Sequence, residues 1–204
     1  ELAGELGINP SASITCVKPS GTVSQLVDSA SGIHTRHSPY YIRTVRTDVK
    51  DPLCTLLIDS GVPSEPDITN PSNVMVFSFP MRSPKYSLTR KDLSAIGQLE
   101  LHGIYSKFWA EHKVSQTISV KEEEWISVGS YVFDNFDDIS GVSFLPYSDY
   151  VYKQAPYTEC TKQEFDDLNK IIPEINWDNL LKYETLDSTS GSQELACTAG
   201  NCEI

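Results

Sequence analysis

Apolar residues recur along the chain at two spacings, one of two residues and one of three to four, and these separate strands from helices. The run Ala-Ser-Ile-Thr-Cys-Val at 12–17 predicts a first strand, and 40–47 alternates well enough for a second. Residues 73–79, rich in Val and Phe, predict a buried strand closed by Pro80, and 114–120 and 141–145 predict two more. Helical spacing begins at 52–60, where Leu53, Leu56 and Leu57 share a face and Gly61 supplies the stop. The longest predicted helix is 90–112. Its apolar stripe is Leu93, Ile96, Leu101, Ile104 and Phe108, although Glu100 falls on the same side. A helix over 121–137 follows, with Trp125, Val128, Val132 and Phe136 inward and Glu122, Glu123 and Glu124 at the positive end of its dipole. Shorter helical stretches are predicted at 1–7, 22–27 and 177–183, and at 161–172, which Thr161 and Glu164 open as a capping box.

Strands alternating with helices predict an α/β architecture with parallel pairing. The pattern does not separate an open sheet from a barrel. Past Pro146 it changes: Tyr147, Tyr150, Tyr152 and Tyr157 crowd among loop residues, and 187–193, Asp-Ser-Thr-Ser-Gly-Ser-Gln, has the composition of a flexible linker. No internal repeat is present.

The richest chemistry lies directly after the first predicted strand, in Lys18-Pro19-Ser20-Gly21-Thr22-Val23-Ser24. Pro19 has no N–H and ends a strand ladder. Ser20-Gly21 predicts a tight turn that lets a ligand approach the backbone, and Thr22 and Ser24 add hydroxyls at a helix start. The first N–H groups of a helix lack internal partners and favour anions, so the segment reads as a phosphate-binding turn. The same residues also fit an ordinary capped helix start with no ligand.

Composition changes the picture in two ways. Sixteen Lys and Arg against 28 Asp and Glu give a net charge of -12, which argues against a nucleic-acid surface. A cradle of backbone amides can still hold phosphate inside an acidic protein. Lys18, Arg36, Arg43 and Arg46 are the basic residues nearest the turn in sequence. Five cysteines, an odd number, do not form a disulfide scaffold and fit a reducing cytoplasm. Cys16, Cys54 and Cys160 are expected to be small buried apolar residues. No apolar run approaches the roughly 20 residues of a membrane helix. The 204 residues are enough for one globular unit with a core.

Five motifs stand in a particular order: the Pro19–Thr22 turn, Ser31-Gly32-Ile33-His34, the strand-like runs at 114–120 and 141–146, Gln154-Ala155-Pro156-Tyr157, and Cys197 and Cys202 with four residues between them. This order resembles the catalytic subunit of ribonucleotide reductases, and within them the monomeric adenosylcobalamin-dependent class that reduces ribonucleoside triphosphates. The resemblance implies the C-terminal half of a ten-stranded α/β barrel over 1–146, a helical extension over 147–184, and a flexible redox-active tail over 185–204. The chain opens at Glu1, not Met, and by this resemblance is the C-terminal part of a longer polypeptide. The missing part would carry the regulatory nucleotide site and the radical-forming cysteine, so the chain alone is expected to be inactive.

The resemblance also implies site residues. Ser20, Gly21, Thr22, Val23 and Ser24 would hold the substrate phosphates. Cys197 and Cys202 would re-reduce an active-site disulfide after each turnover and be reduced in turn by a thioredoxin-like donor. The resemblance implies adenosylcobalamin as cofactor, and Tyr147, Tyr150, Tyr152 and Tyr157 would offer flat surface to its corrin ring, or else seal the barrel edge. The family commonly has proline after the Gly-Ile-His segment, where Thr35 stands here, and His34 is expected to be a loop-packing residue. Three other readings stay open: a large subunit that takes its radical from a metal-containing partner, a non-enzymatic phosphate-binding or thiol redox-carrier module, and half a zinc site completed by Cys160 with His34 or His37.

Overall fold

A computed structural model describes residues 1–20, 23–147 and 152–184. They form two compact units, one drawn from 1–36 and 88–147, the other from 37–87 and 152–184.

In the first unit, Ser94 starts the longest helix by accepting the Gly97 amide on its Oγ at 3.1 Å. The helix α4 (Ala95–Phe108) follows α1 (Leu2–Glu5) and α2 (Val23–Leu26). It is shorter than the sequence predicts, because Thr89 and Asp92 close a turn where the helix was expected to begin. Its buried face is Ala95, Gln98, Leu99 and His102, whereas Ile104 and Phe108 of the predicted stripe are exposed. Ala95 and Leu99 pack on Ile118 and Val120 of β4 (Thr117–Val120) and on Val128 of α5 (Trp125–Asp134). Truncating Leu99 there to alanine would cost about 2–5 kcal/mol. The predicted 121–137 helix breaks into three pieces, with one-turn helices at Glu122–Glu124 and Phe136–Asp138 flanking α5, and Phe136 is exposed. One carboxylate ties the two helices: Glu124 accepts the Ala95 amide on Oε1 and the Lys121 amide on Oε2, each at 3.0 Å.

Strand β4 pairs in parallel with β5 (Ser143–Pro146), as predicted. The expected strand at 12–17 is reduced to one parallel bridge, Val17 to Val114. Cys16 is accordingly exposed, against expectation, while Cys54 is buried.

The second unit departs from the parallel expectation. β1 (Tyr40–Asp48), β2 (Ser64–Pro66), β3 (Val74–Arg82) and β6 (Tyr157–Glu159) form an antiparallel sheet in the order β2-β3-β1-β6. Pro80 lies inside β3 rather than closing it. Helix α3 (Pro52–Asp59) starts where the Asp51 carboxylate accepts the Leu53 amide at 2.8 Å, with Pro52 in the first turn. It buries Cys54 and Leu57 against Phe77 and Val62, with Met75, Phe79, Ile172 and Ile175 at the margin. Helix α6 (Lys162–Ile171) has the predicted Thr161–Glu164 capping box, and α7 (Leu180–Tyr183) follows. Arg46 of β1 donates to Asp67 at 2.8 Å and to the Gln154 carbonyl at 3.0 Å. The Gln154 carboxamide in turn accepts the Ile68 amide at 3.0 Å and donates to the Pro66 carbonyl at 2.8 Å.

Candidate functional site

The turn after Val17 is built on β4 and its N-terminal extension. The Val17 N–H donates to the Lys113 carbonyl, and the Ser115 N–H donates back to Val17, both at 3.0 Å. Pro19 cannot continue this ladder. Ser20 then adopts a left-handed conformation, φ +51°, and its carbonyl accepts the Val23 amide at 3.0 Å. That bond removes the Val23 amide from the donors a phosphate could use. Ser24 is buried, Val23 is exposed, and Gly21 and Thr22 lie outside the described residues.

The Ser31–His34 segment lies directly against this turn. Gly32, at φ +53°, comes so close that a Cβ would stand 2.8 Å from the Lys18 carbonyl oxygen. Its amide donates to Ser20 Oγ at 3.2 Å. The serine hydroxyl thus accepts from the protein, which leaves its own proton free to be donated. His34 Nδ1 lies 2.6 Å from the Ser31 carbonyl and Nε2 lies 2.8 Å from the Thr117 amide. The carbonyl can only accept and the amide can only donate, so the ring is neutral with its proton on Nδ1. Burial holds the imidazole below the usual histidine range, against a smaller pull from the Ser31 carbonyl.

The three arginines expected near the turn each have a partner of their own. Buried Arg36 pairs with Asp28 at 2.9 Å and also donates to the Asp28 carbonyl. Arg43 donates to the Tyr157 hydroxyl at 2.9 Å, and Arg46 is committed to Asp67. Lys18 is exposed.

The tyrosines are divided between the units. Tyr147 belongs to the first, where the Arg90 guanidinium lies 4.9 Å and the Lys121 ammonium 5.8 Å from its ring centroid. Tyr152 and Tyr157 belong to the second. Tyr157 stacks on His37 at 5.7 Å and tilts against Tyr41, whereas Tyr152 is exposed. Tyr150, Cys197 and Cys202 lie outside the described residues. Cys160 lines a shallow depression with Tyr40 and Thr161, and burial pushes its thiol above the usual cysteine range, ahead of Glu164 and Glu159. Among the described residues no group of three or more His, Cys, Asp and Glu side chains could hold a metal ion.

Two arrangements escape the sequence reading. One is the bond from His34 to β4, which periodicity does not encode because it joins residues 83 positions apart. The other is His102, fully buried on α4 and held below the usual histidine range by burial, with a smaller opposing pull from Gln116. The alternation of β4 and its extension, with Val114, Gln116, Ile118 and Val120 buried, was the available signal that position 116 faces the helix.

No protein-family model matches the chain. It is 32% identical over 176 residues to the adenosylcobalamin-dependent ribonucleoside-triphosphate reductase of Euglena gracilis, covering 85% of this chain and 24% of that protein. The enzyme of the same name from Lactobacillus helveticus is 29% identical over 98% of this chain and 27% of its own length. A Dictyostelium discoideum relative described in closely the same terms is 34% identical over 98% of this chain and 26% of its own. Among solved structures, the crystal structure of a B-12-dependent (class II) ribonucleotide reductase superposes with a TM-score of 0.76 at 26% identity, over 91% of this chain and 26% of that one. The chain spans about a quarter of the length of the curated relatives it matches. In sequence over nearly its whole length and in its mixed α/β fold, the chain belongs to the adenosylcobalamin-dependent ribonucleoside-triphosphate reductases.

Proposed function

We propose that the polypeptide carrying this chain reduces ribonucleoside triphosphates, replacing the ribose 2′-hydroxyl by hydrogen, and that this chain supplies the substrate-phosphate turn and the tail reductant. The observation that carries the reading is the sequence match to triphosphate reductases over nearly the whole chain. The turn adds physical support: Ser20 is left-handed, its hydroxyl keeps a proton to donate, and Gly32 lets a second backbone segment close on it. We assign Ser20, Gly21, Thr22, Val23 and Ser24 to the phosphates, with Val23 acting other than through its amide. Residues 1–146 are read as part of a ten-stranded α/β barrel, 147–184 as a helical extension and 185–204 as the tail. A cytoplasmic location fits the reducing chemistry.

The reaction consumes two electrons and two protons, leaving a deoxyribonucleotide, water and a disulfide in the active site. Cys197 and Cys202 would reduce that disulfide back to two thiols by thiol–disulfide exchange, giving up two electrons and two protons and becoming a disulfide themselves. A thioredoxin-like dithiol would then reduce the tail. Adenosylcobalamin is the proposed cofactor and supplies the radical chemistry when bound. Two of the four tyrosines considered for its corrin ring have partners within their own units. Tyr157 is taken up by His37, Tyr41 and Arg43, and Tyr147 lies under Arg90 and Lys121. No residue is therefore assigned to the cofactor, and no step is derived through it.

The test is serine replacement of both tail cysteines in the full-length polypeptide. Multiple turnovers with a thioredoxin donor should be lost while a small dithiol still supports activity. Equal loss with both reductants would place the cysteines in the chemical step instead, and absence of deoxynucleotide from the unaltered polypeptide would end the reductase reading.

A further inference from the structure

We propose that His34 is a positioning residue for the phosphate turn, its neutral imidazole standing in for the strand carbonyl that β4 loses when the chain departs at Pro19. The inference rests on the phosphate reading of the Ser20 turn.

In a parallel ladder, a residue on one strand bonds the two residues that flank its partner on the next. Val17 does so, donating to Lys113 and accepting from Ser115. Two residues on, the same pattern would have residue 19 donate to Ser115 and accept from Thr117. Pro19 has no N–H to donate, and the left-handed Ser20 turns the chain away. The Thr117 amide would be left with no strand acceptor at that point. It donates instead to Nε2 of His34 at 2.8 Å.

That bond reaches the turn through a short chain of contacts. The imidazole spans from β4 to the Ser31 carbonyl, 2.6 Å from Nδ1, and the His34 amide donates to the same carbonyl at 2.9 Å. Both bonds fix Ser31, and Ser31 fixes its neighbour Gly32. Gly32 stands so close to the Lys18 carbonyl that even a Cβ would lie 2.8 Å from its oxygen, and its amide hydrogen-bonds Ser20 Oγ. A rigid ring therefore transmits the position of β4 to the hydroxyl that would meet the ligand. A flexible side chain would hold the same loop with a wider spread of Ser20 orientations. The ring touches neither substrate nor reacting atoms in this account; it acts through Gly32 and Ser20.

The experiment measures KM and kcat for a ribonucleoside triphosphate in the full-length polypeptide loaded with adenosylcobalamin. His34→Leu should raise KM roughly tenfold with kcat changed less than about twofold, the scale of one hydrogen bond. His34→Gln offers an acceptor oxygen at the reach of Nε2 and should bring KM back to within about threefold. Unchanged KM in His34→Leu, or a glutamine variant as impaired as the leucine one, overturns the inference. Should the leucine variant fail to fold, asparagine decides: its shorter carboxamide cannot reach Thr117, so His34→Asn should behave worse than His34→Gln, and equal KM values overturn the proposal. Ser20→Ala separates the two levels. If it leaves KM unchanged the phosphate reading fails; if it raises KM while His34→Leu does not, only the role of His34 fails.

Discussion

The Thr117 amide donates to Nε2 of His34 across 2.8 Å, although the two residues stand 83 apart in sequence. A loop side chain thereby completes the edge of a parallel strand. The arrangement works in one protonation state only, because a second proton on the ring would face the amide with a donor. Chemistry that depends on the neighbouring turn inherits that requirement.

Stability should therefore depend on pH through two histidines. Burial lowers the proton affinity of both His34 and His102 in the folded chain. Below about pH 6.5, the ordinary histidine value, the unfolded chain takes up protons that the folded chain refuses. The contribution is complete above that value and is lost as pH falls further. Urea midpoints of the chain should drop between about pH 7 and pH 5.5, before carboxylates titrate. His34→Gln and His102→Gln should each flatten the slope, and an unaltered slope in the double variant would refute the assignment.

Asp67 should dominate acid sensitivity in the other unit. Burial pushes its carboxyl up, but the Thr69 hydroxyl, the Arg46 guanidinium and the Asn70 and Thr69 amides outweigh burial and hold it at about 2. A carboxylate held below its unfolded value stabilises the fold above about pH 4 and loses that contribution as pH falls toward 2. Asp67→Asn removes the charge beside a partly buried arginine and should cost about 2–4 kcal/mol at neutral pH. The measurement is chemical denaturation of both proteins from pH 7 to pH 3. The difference between them should shrink with acid, and a constant difference would contradict the assignment.

Gly32 and Gly61 allow conformation to be separated from collision. Both have positive φ, at +53° and +82°, but only at Gly32 would an added Cβ strike backbone, 2.8 Å from the Lys18 carbonyl. Gly61→Ala should cost about 1 kcal/mol from the left-handed backbone alone. Gly32→Ala should cost about 1–3 kcal/mol more, because the obstructing atom cannot rotate away. Thermal melts of the two variants compare them directly, and equal losses would mean that the Ser20 turn is free to retreat.

Sequence patterning recovered elements whose forces are local. Asp51 and Pro52 start α3, and Thr161 with Glu164 starts α6, where predicted. It failed where tertiary partners decide. The stripe through Ile104 and Phe108 was chosen on hydrophobicity, yet α4 turns Ala95, Leu99 and His102 to the sheet. β1 and β3 were legible as strands, but a helix between two strands reads as a parallel crossover, so their antiparallel pairing was missed, and β2 and β6, three residues each, are too short for alternation to register. At the site, a tight turn at Ser20 was legible, but the left-handed backbone of Ser20 itself was not, since serine is not a type that favours it. What periodicity cannot convey is that Gly32 meets Lys18 and that an imidazole meets β4, since neither contact joins residues within one repeating element.

Gln154 also has a consequence for how the second sheet keeps its alignment. Strand β6 meets β1 through only three residue pairs, so by itself it could slide along its neighbour at small cost. A slip of one position would turn every side chain to the opposite face. Gln154 resists this from outside the strand: its carboxamide reads a donor and an acceptor on the peptides around Asp67, and its carbonyl is held by Arg46. The clasp works as a vernier, setting the frame of a short strand by matching one amide to another beyond the sheet's far margin. Glutamate at that position would place an oxygen against the Pro66 carbonyl and lose the frame without touching the strand itself.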